Sequence, residues 1–91
     1  MIARRLRISG RVQGVGFRDW FARAARQRHV EGWVRNRIDG TVEALCVGEA
    51  EDVEALIQAA HAGPALARVT AIDVTPAEGI VAEGFRKLPT V

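Results

Sequence analysis

The stretch of this chain best equipped for chemistry is Gly10-Arg11-Val12-Gln13-Gly14-Val15-Gly16-Phe17-Arg18. On passing through it the apolar pattern changes from alternation to helical spacing, so the glycines mark a turn from a strand into a helix N-terminus. Free backbone N–H groups and the positive end of the helix dipole meet at such a turn, which suits an anion such as phosphate. No Gly-Lys-Ser/Thr follows, so it is not a Walker-type nucleotide loop. Asp19 occupies the third glycine position of a dinucleotide fingerprint. A plain turn that needs glycine for positive φ would use the same residues, and the residues alone leave both readings open.

Arg18 and Asn36 are the side chains to weigh beside that loop. A cation in the first turn of a helix sits at the wrong end of the dipole, at a cost of a few tenths to about 1 kcal/mol. An anion held between Arg18 and the loop amides would convert that cost into binding, whereas Asp19 next to it could simply compensate. Asn36 shares a strand face with Val34, so its amide points toward the covered side of a sheet, where a polar group needs partners. It could serve a ligand, or cap the turn ahead of Asp39-Gly40.

The elements that must position these residues follow from periodicity. Arg5 to Val12 alternates as a half-buried strand, and Phe17, Trp20, Phe21, Ala24 and Ala25 fall at helical spacing, with the helix ending near His29. Val30–Arg37 and Thr41–Val47 read as a hairpin around Ile38-Asp39-Gly40, the latter strand with Val42, Ala44 and Cys46 inward. Glu49–Ala62 carries the stripe Val53, Leu56, Ile57, Ala60, acids in its first turn, and a Gly63-Pro64 stop. Val69–Thr75 is a fourth strand with Ile72 and Val74 inward, Pro76-Ala77-Glu78-Gly79 a turn, and Phe85 marks a possible short fifth strand.

The order β-α-β-β-α-β predicts an α+β, ferredoxin-like sandwich: an antiparallel four-stranded sheet, with the possible fifth strand, and two helices on one face. Such a fold does not decide function. With 91 residues, a single domain spanning 1–91 is expected.

Composition narrows the rest. At 48% hydrophobic and 26% charged the chain is globular. It lacks an apolar run near the ~20 residues of a membrane span, and with no apolar stretch behind Arg4-Arg5 no secretory leader is expected. The lone Cys46 suits a reducing, cytoplasmic setting, and it reads as a small buried hydrophobe rather than a nucleophile. Two histidines and one cysteine, widely spaced, make no metal-ligand set. Residues 1–37 hold ten arginines against Asp19 and Glu31, a net +8, and residues 38–91 a net −6. Those charges could build an anion site, but the favoured reading is that the halves interleave and pair them on the surface.

Together the two stretches resemble the signatures of the acylphosphatase family. The first is Ile8-x-Gly10-x-Val12-Gln13-Gly14-Val15-x-Phe17-Arg18; the second is Gly32-Trp33-Val34-Arg35-Asn36-x-x-x-Gly40-x-Val42, with Gly48 at the family's distance. The resemblance implies hydrolysis of the carboxyl–phosphate bond of a small acyl phosphate, without metal or cofactor. By position, Arg18 would clamp the phosphate with backbone amides of Gln13, Gly14, Val15, Gly16, Phe17 and Arg18, and Asn36 would orient the attacking water. Such chemistry asks for charge stabilisation and in-line positioning, and an acyl phosphate's good leaving group demands no general acid.

Two features depart from the family pattern. Phe85-Arg86-Lys87-Leu88 breaks the apolar alternation expected of the last strand, and Asp19 puts an acid directly after the arginine. A binding module for RNA or another anion is the rival reading. It would need aromatics on the central strands, and Thr41–Val47 has none. A domain of a larger carbamoyl-transfer protein is a second rival, which the chain length disfavours. The expectation is therefore a monomeric enzyme with no nucleic-acid or membrane partner.

Overall fold

A computed structural model of the chain describes residues 1–78 and 83–91. Its elements are β1 (Ile2–Arg11), α1 (Phe17–Gln27), β2 (Glu31–Asn36), β3 (Val42–Gly48), α2 (Ala50–Ala60), β4 (Arg68–Pro76) and β5 (Phe85–Lys87). They form one five-stranded sheet in the order β4-β1-β3-β2-β5. Both helices lie on the same face, where Leu6, Ile8, Val34, Val42, Ala44 and Cys46 meet Phe17, Phe21, Val53 and Leu56. This is the ferredoxin-like α+β sandwich that the element order predicts.

The expected antiparallel four-stranded sheet forms from β4, β1, β3 and β2. The short fifth strand does form, and it pairs parallel to β2, with Gly32 opposite Phe85 and Val34 opposite Lys87, so the sheet is mixed. Phe85 anchors it: the ring is buried against Phe21, with centroids 5.6 Å apart. Two bonds from the Arg26 guanidinium to Phe85 O, at 3.2 and 2.8 Å, tie α1 to the same residue. A broken alternation is no obstacle to a strand that buries one side chain and is held by its main chain.

Smaller differences have local causes. Helix α1 stops at Gln27 because His29 turns left-handed at φ 57° and sends the chain back into β2. On β4, an edge strand, Ile72 and Val74 pair with Ile8 and Leu6 and share their inward face, but the uncovered edge leaves Val74 44% exposed and Ile72 partly buried. Pro76 ends β4 rather than opening a turn, and Gly79 lies outside the described residues.

The interleaved order pairs part of the charge asymmetry. Arginine-rich β1 and Arg35 of β2 flank Glu43 on β3, so Glu43 meets Arg5 at 2.8 Å from one side and Arg35 at 2.8 Å from the other, with Arg37 at 3.2 Å. Arg7 pairs with Asp39 at 2.6 Å. On this open face Arg5 and Arg35 also stack on Trp33, 5.7 and 4.6 Å from its ring centre. Among the described residues, four of the ten arginines in residues 1–37 form ion pairs in this way, so the favoured reading holds for these four.

Candidate active site

Strand β1 and helix α1 are joined by residues 12–16. Gly14 and Gly16 take φ of 72° and 76°, in the left-handed region. A Cβ built on either meets nothing within 4 Å, so backbone conformation rather than crowding is what calls for glycine there. Gly16 is the N-cap of α1, and it supplies no side-chain acceptor to the helix. The first main-chain bond of the helix runs from Trp20 N to Gly16 O, and the amides from Gln13 to Asp19 reach no acceptor among the described residues. Seven consecutive residues thus offer N–H groups at the positive end of a helix.

The loop is braced from outside. Gln13 Nε2 donates to Arg37 O at 2.7 Å and to Thr41 O at 2.9 Å, across the mouth of the β2–β3 hairpin. This fastens the loop beside the end of β2, where Asn36 stands. Val12, 1% exposed, plugs the core beneath it.

Asn36 sits between two neighbours that fix its backbone. It pairs with Val42 of β3 on one side, and its carbonyl accepts from Val91 N at 3.1 Å on the other. The tail after β5 continues along β2 through Leu88 N to Val34 O at 2.8 Å, and Ile38 N donates to Val91 O at 2.7 Å. The side-chain Oδ1 of Asn36 is buried and accepts no hydrogen bond from the described residues. An orphaned buried acceptor costs about 1–3 kcal/mol, so a ligand or water partner there would be favoured.

Arg18 rises from the first turn of α1. Its Nη1 donates to Leu88 O at 3.2 Å. This tether uses one of five guanidinium N–H donors and leaves the rest for a planar, bidentate partner. The wrong-end penalty of Arg18 is therefore offset partly by the tail, a contact the sequence did not signal. Asp19 is answered by Lys87, whose Nζ lies 2.7 Å from Asp19 Oδ1. That bond, with the ammonium's charge, holds the Asp19 carboxyl below the ordinary carboxylate range. Lys87 was visible in the sequence only as the residue that spoils the last strand's alternation.

These groups close on one cleft of about 110 Å³. Gly14, Gly16, Phe17, Arg18 and Asp19 form one wall, Asn36 and Lys87 the other, with Val12 at the base. The two candidate side chains and the amide loop are brought together, although Arg18 and Asn36 lie 18 positions apart in sequence. At about 30 Å³ per water, the cleft has room for a phosphate-sized anion. A larger cleft of about 350 Å³ lies on the open sheet face, lined by Arg5, Arg7, Arg37, Glu43 and Asp73. Its three arginines already hold carboxylates.

Other candidates drop away. Cys46 is buried in the sheet, and burial pushes its thiol up to about 12. Among the described residues no three His, Cys, Asp or Glu side chains gather as metal ligands, and no described helix is long and apolar enough to cross a membrane.

The acylphosphatase family model matches residues 4–87, both walls of the cleft included. The chain belongs to the acylphosphatase family. It is 56% identical over 90 residues to an acylphosphatase of Acidiphilium cryptum, an alignment covering 99% of each chain. Its fold superposes on the crystal structure of the acylphosphatase from Bacillus subtilis with a TM-score of 0.91 at 36% identity, covering 97% of this chain and 99% of that one. It also matches 12% of the length of a full-length HypF chain, with a TM-score of 0.85 and 32% identity over 98% of this chain. Membership makes the protein a hydrolase of acyl phosphates and decides against a purely binding module.

Proposed function

We propose that the cleft is where acyl phosphates are hydrolysed, with Arg18 and the amides of Gln13, Gly14, Val15, Gly16, Phe17 and Arg18 holding the phosphoryl group. In this reading the free Arg18 donors and the loop amides point at the phosphoryl oxygens. They neutralise charge there more strongly as the bond to the carboxylate lengthens. Asn36 holds the attacking water by its side-chain amide, opposite the leaving carboxylate. Water attacks phosphorus, the P–O bond to the acyl group breaks, and carboxylate and inorganic phosphate leave with the proton passed to solvent. No general acid is required, because a carboxylate is a stable leaving group. The observation that carries the reading is the buried, unpartnered Asn36 Oδ1 in the same small cleft as Arg18 and a run of unpaired amides.

The experiment is Asn36→Ala. If Asn36 positions water, kcat for benzoyl phosphate falls by about two orders of magnitude or more, while competitive inhibition by inorganic phosphate changes less than about threefold. A near-normal kcat in a folded variant would remove Asn36 from the reaction. The reading further assigns the enzyme no nucleic-acid partner, supported by a β3 without aromatics and by Trp33 lying under two arginines. It also takes the chain to act as a cytoplasmic monomer. Of the exposed apolar residues Met1, Ile38, Leu66, Val74 and Val91, only Ile38 and Val91 are joined by a main-chain bond, and Cys46 is a free thiol. Sedimentation of the pure protein and filter binding to single-stranded RNA test the first two points.

A further inference from the structure

We infer that Lys87 tunes the affinity of the cleft for anions by neutralising Asp19 at its mouth. This rests on the assignment of the phosphate to Arg18 and the loop. Asp19 directly follows Arg18, and both Asp19 and Lys87, to which its carboxylate is bonded, line the same cleft, so that carboxylate lies near the space an incoming phosphate must enter. Left alone it would repel a dianion and compete for the guanidinium. Strand β5 answers it. Lys87 is in register with Val34 and turns to the helix-covered face, as Phe85 does two residues earlier. There its Nζ meets Asp19 Oδ1 at 2.7 Å.

Both partners keep substantial exposure, 45% for the lysine side chain and 64% for the aspartate. Such a pair contributes little to folding. Its consequence is electrostatic: with Lys87 in place the mouth carries Arg18, Lys87 and Asp19, a net charge of +1. Without the lysine it carries none.

The test is a four-protein cycle at low ionic strength, with benzoyl phosphate as substrate and inorganic phosphate as inhibitor. In Lys87→Met the mouth is neutral, and KM and the phosphate inhibition constant should rise about three- to tenfold. That is the size expected for one unit charge several ångströms from a dianion in a near-aqueous medium. Its kcat should change less than twofold. Asp19→Asn raises the mouth to +2 and should lower both constants below wild type. Lys87→Met combined with Asp19→Asn restores +1 and should return both to within about twofold of wild type. Lys87→Arg keeps the charge and should behave as wild type.

These differences should shrink in about 0.5 M salt, where charges are screened within a few ångströms. A lysine that merely braces β5 would not be rescued by removing the aspartate. The inference fails if Lys87→Met leaves KM within twofold, or if the double variant stays as weak as the single one. Failure of the underlying assignment is distinct. An Arg18→Ala protein with wild-type turnover defeats the site and this inference together, whereas an Arg18-dependent enzyme whose KM ignores Lys87 defeats the inference alone.

Discussion

Inorganic phosphate, the product of the reaction, should raise the melting temperature of the wild-type protein saturably, and Arg18→Ala should abolish that rise. A ligand that binds only the folded state stabilises it by RT ln(1 + [L]/Kd), about 1.4 kcal/mol at ten times Kd. For a domain of this size the gain corresponds to roughly 5–10 °C. The ligand-free protein needs separate treatment, because Arg18 contributes two opposed terms. Removing a cation from the first turn of α1 relieves about 0.3–1 kcal/mol. Losing the bond from Nη1 to Leu88 O, 3.2 Å long and partly buried, costs about 1.5 kcal/mol, the weak end for a charged donor. The net is a loss of about 0.5–1.2 kcal/mol, or a fall of roughly 2–10 °C without phosphate. Scanning calorimetry of both proteins in chloride and in phosphate at matched ionic strength reads all four values. An Arg18→Ala protein that still gains stability from phosphate would place the anion elsewhere. A collapse of ligand-free stability by several kcal/mol would make Arg18 a structural residue first.

Turnover of benzoyl phosphate should persist in excess chelator, since Arg18, Lys87 and the loop amides can supply the charge stabilisation that phosphoryl transfer needs. Activity lost with chelator and restored by a divalent ion would refute this. Gly32→Ala should unfold or severely destabilise the protein, because a Cβ there would overlap Leu45 O at a backbone φ of 133°, whereas Gly14→Ala meets no atoms and should cost about 1–2 kcal/mol from its left-handed backbone alone. Denaturant titrations of the two variants decide it. Burial opposes ionisation of Glu43, but the bonds from Arg35 and Arg5 prevail and hold its carboxyl below the ordinary value of 4.5. A depressed folded value means stability that is full above pH 4.5 and lost as pH falls through the lower, folded value. Glu43→Gln should therefore flatten the acid limb of a stability–pH curve below about pH 4.5, and an unchanged limb would show that the three arginines add nothing there.

Much of the candidate site's geometry was legible in the sequence because its determinants are local. Gly14 and Gly16 need a left-handed backbone, the change of apolar period at Phe17 sets the helix start, and the parity of Asn36 with Val34 sets the face it takes. Each depends on neighbours within a few residues, and chain direction alone then brings the end of β2 beside the start of α1. The same holds for β3, whose inward Val42, Ala44 and Cys46 are all fully buried.

What only the tertiary structure decided is how the C-terminal residues serve that site. Strand β5 spans three residues and buries one, too short a run for any period to declare itself. Its parallel pairing with β2 joins residues more than fifty positions apart through main-chain bonds, which carry no side-chain signature. The tether from Arg18 to Leu88 O, the brace from Gln13 to the hairpin, and the pairing of Lys87 with Asp19 all end on atoms whose positions exist only once the sheet has closed. The sign of a charge is written in the sequence, but which opposite charge it meets depends on strand order, and β4-β1-β3-β2-β5 is a property of the folded chain.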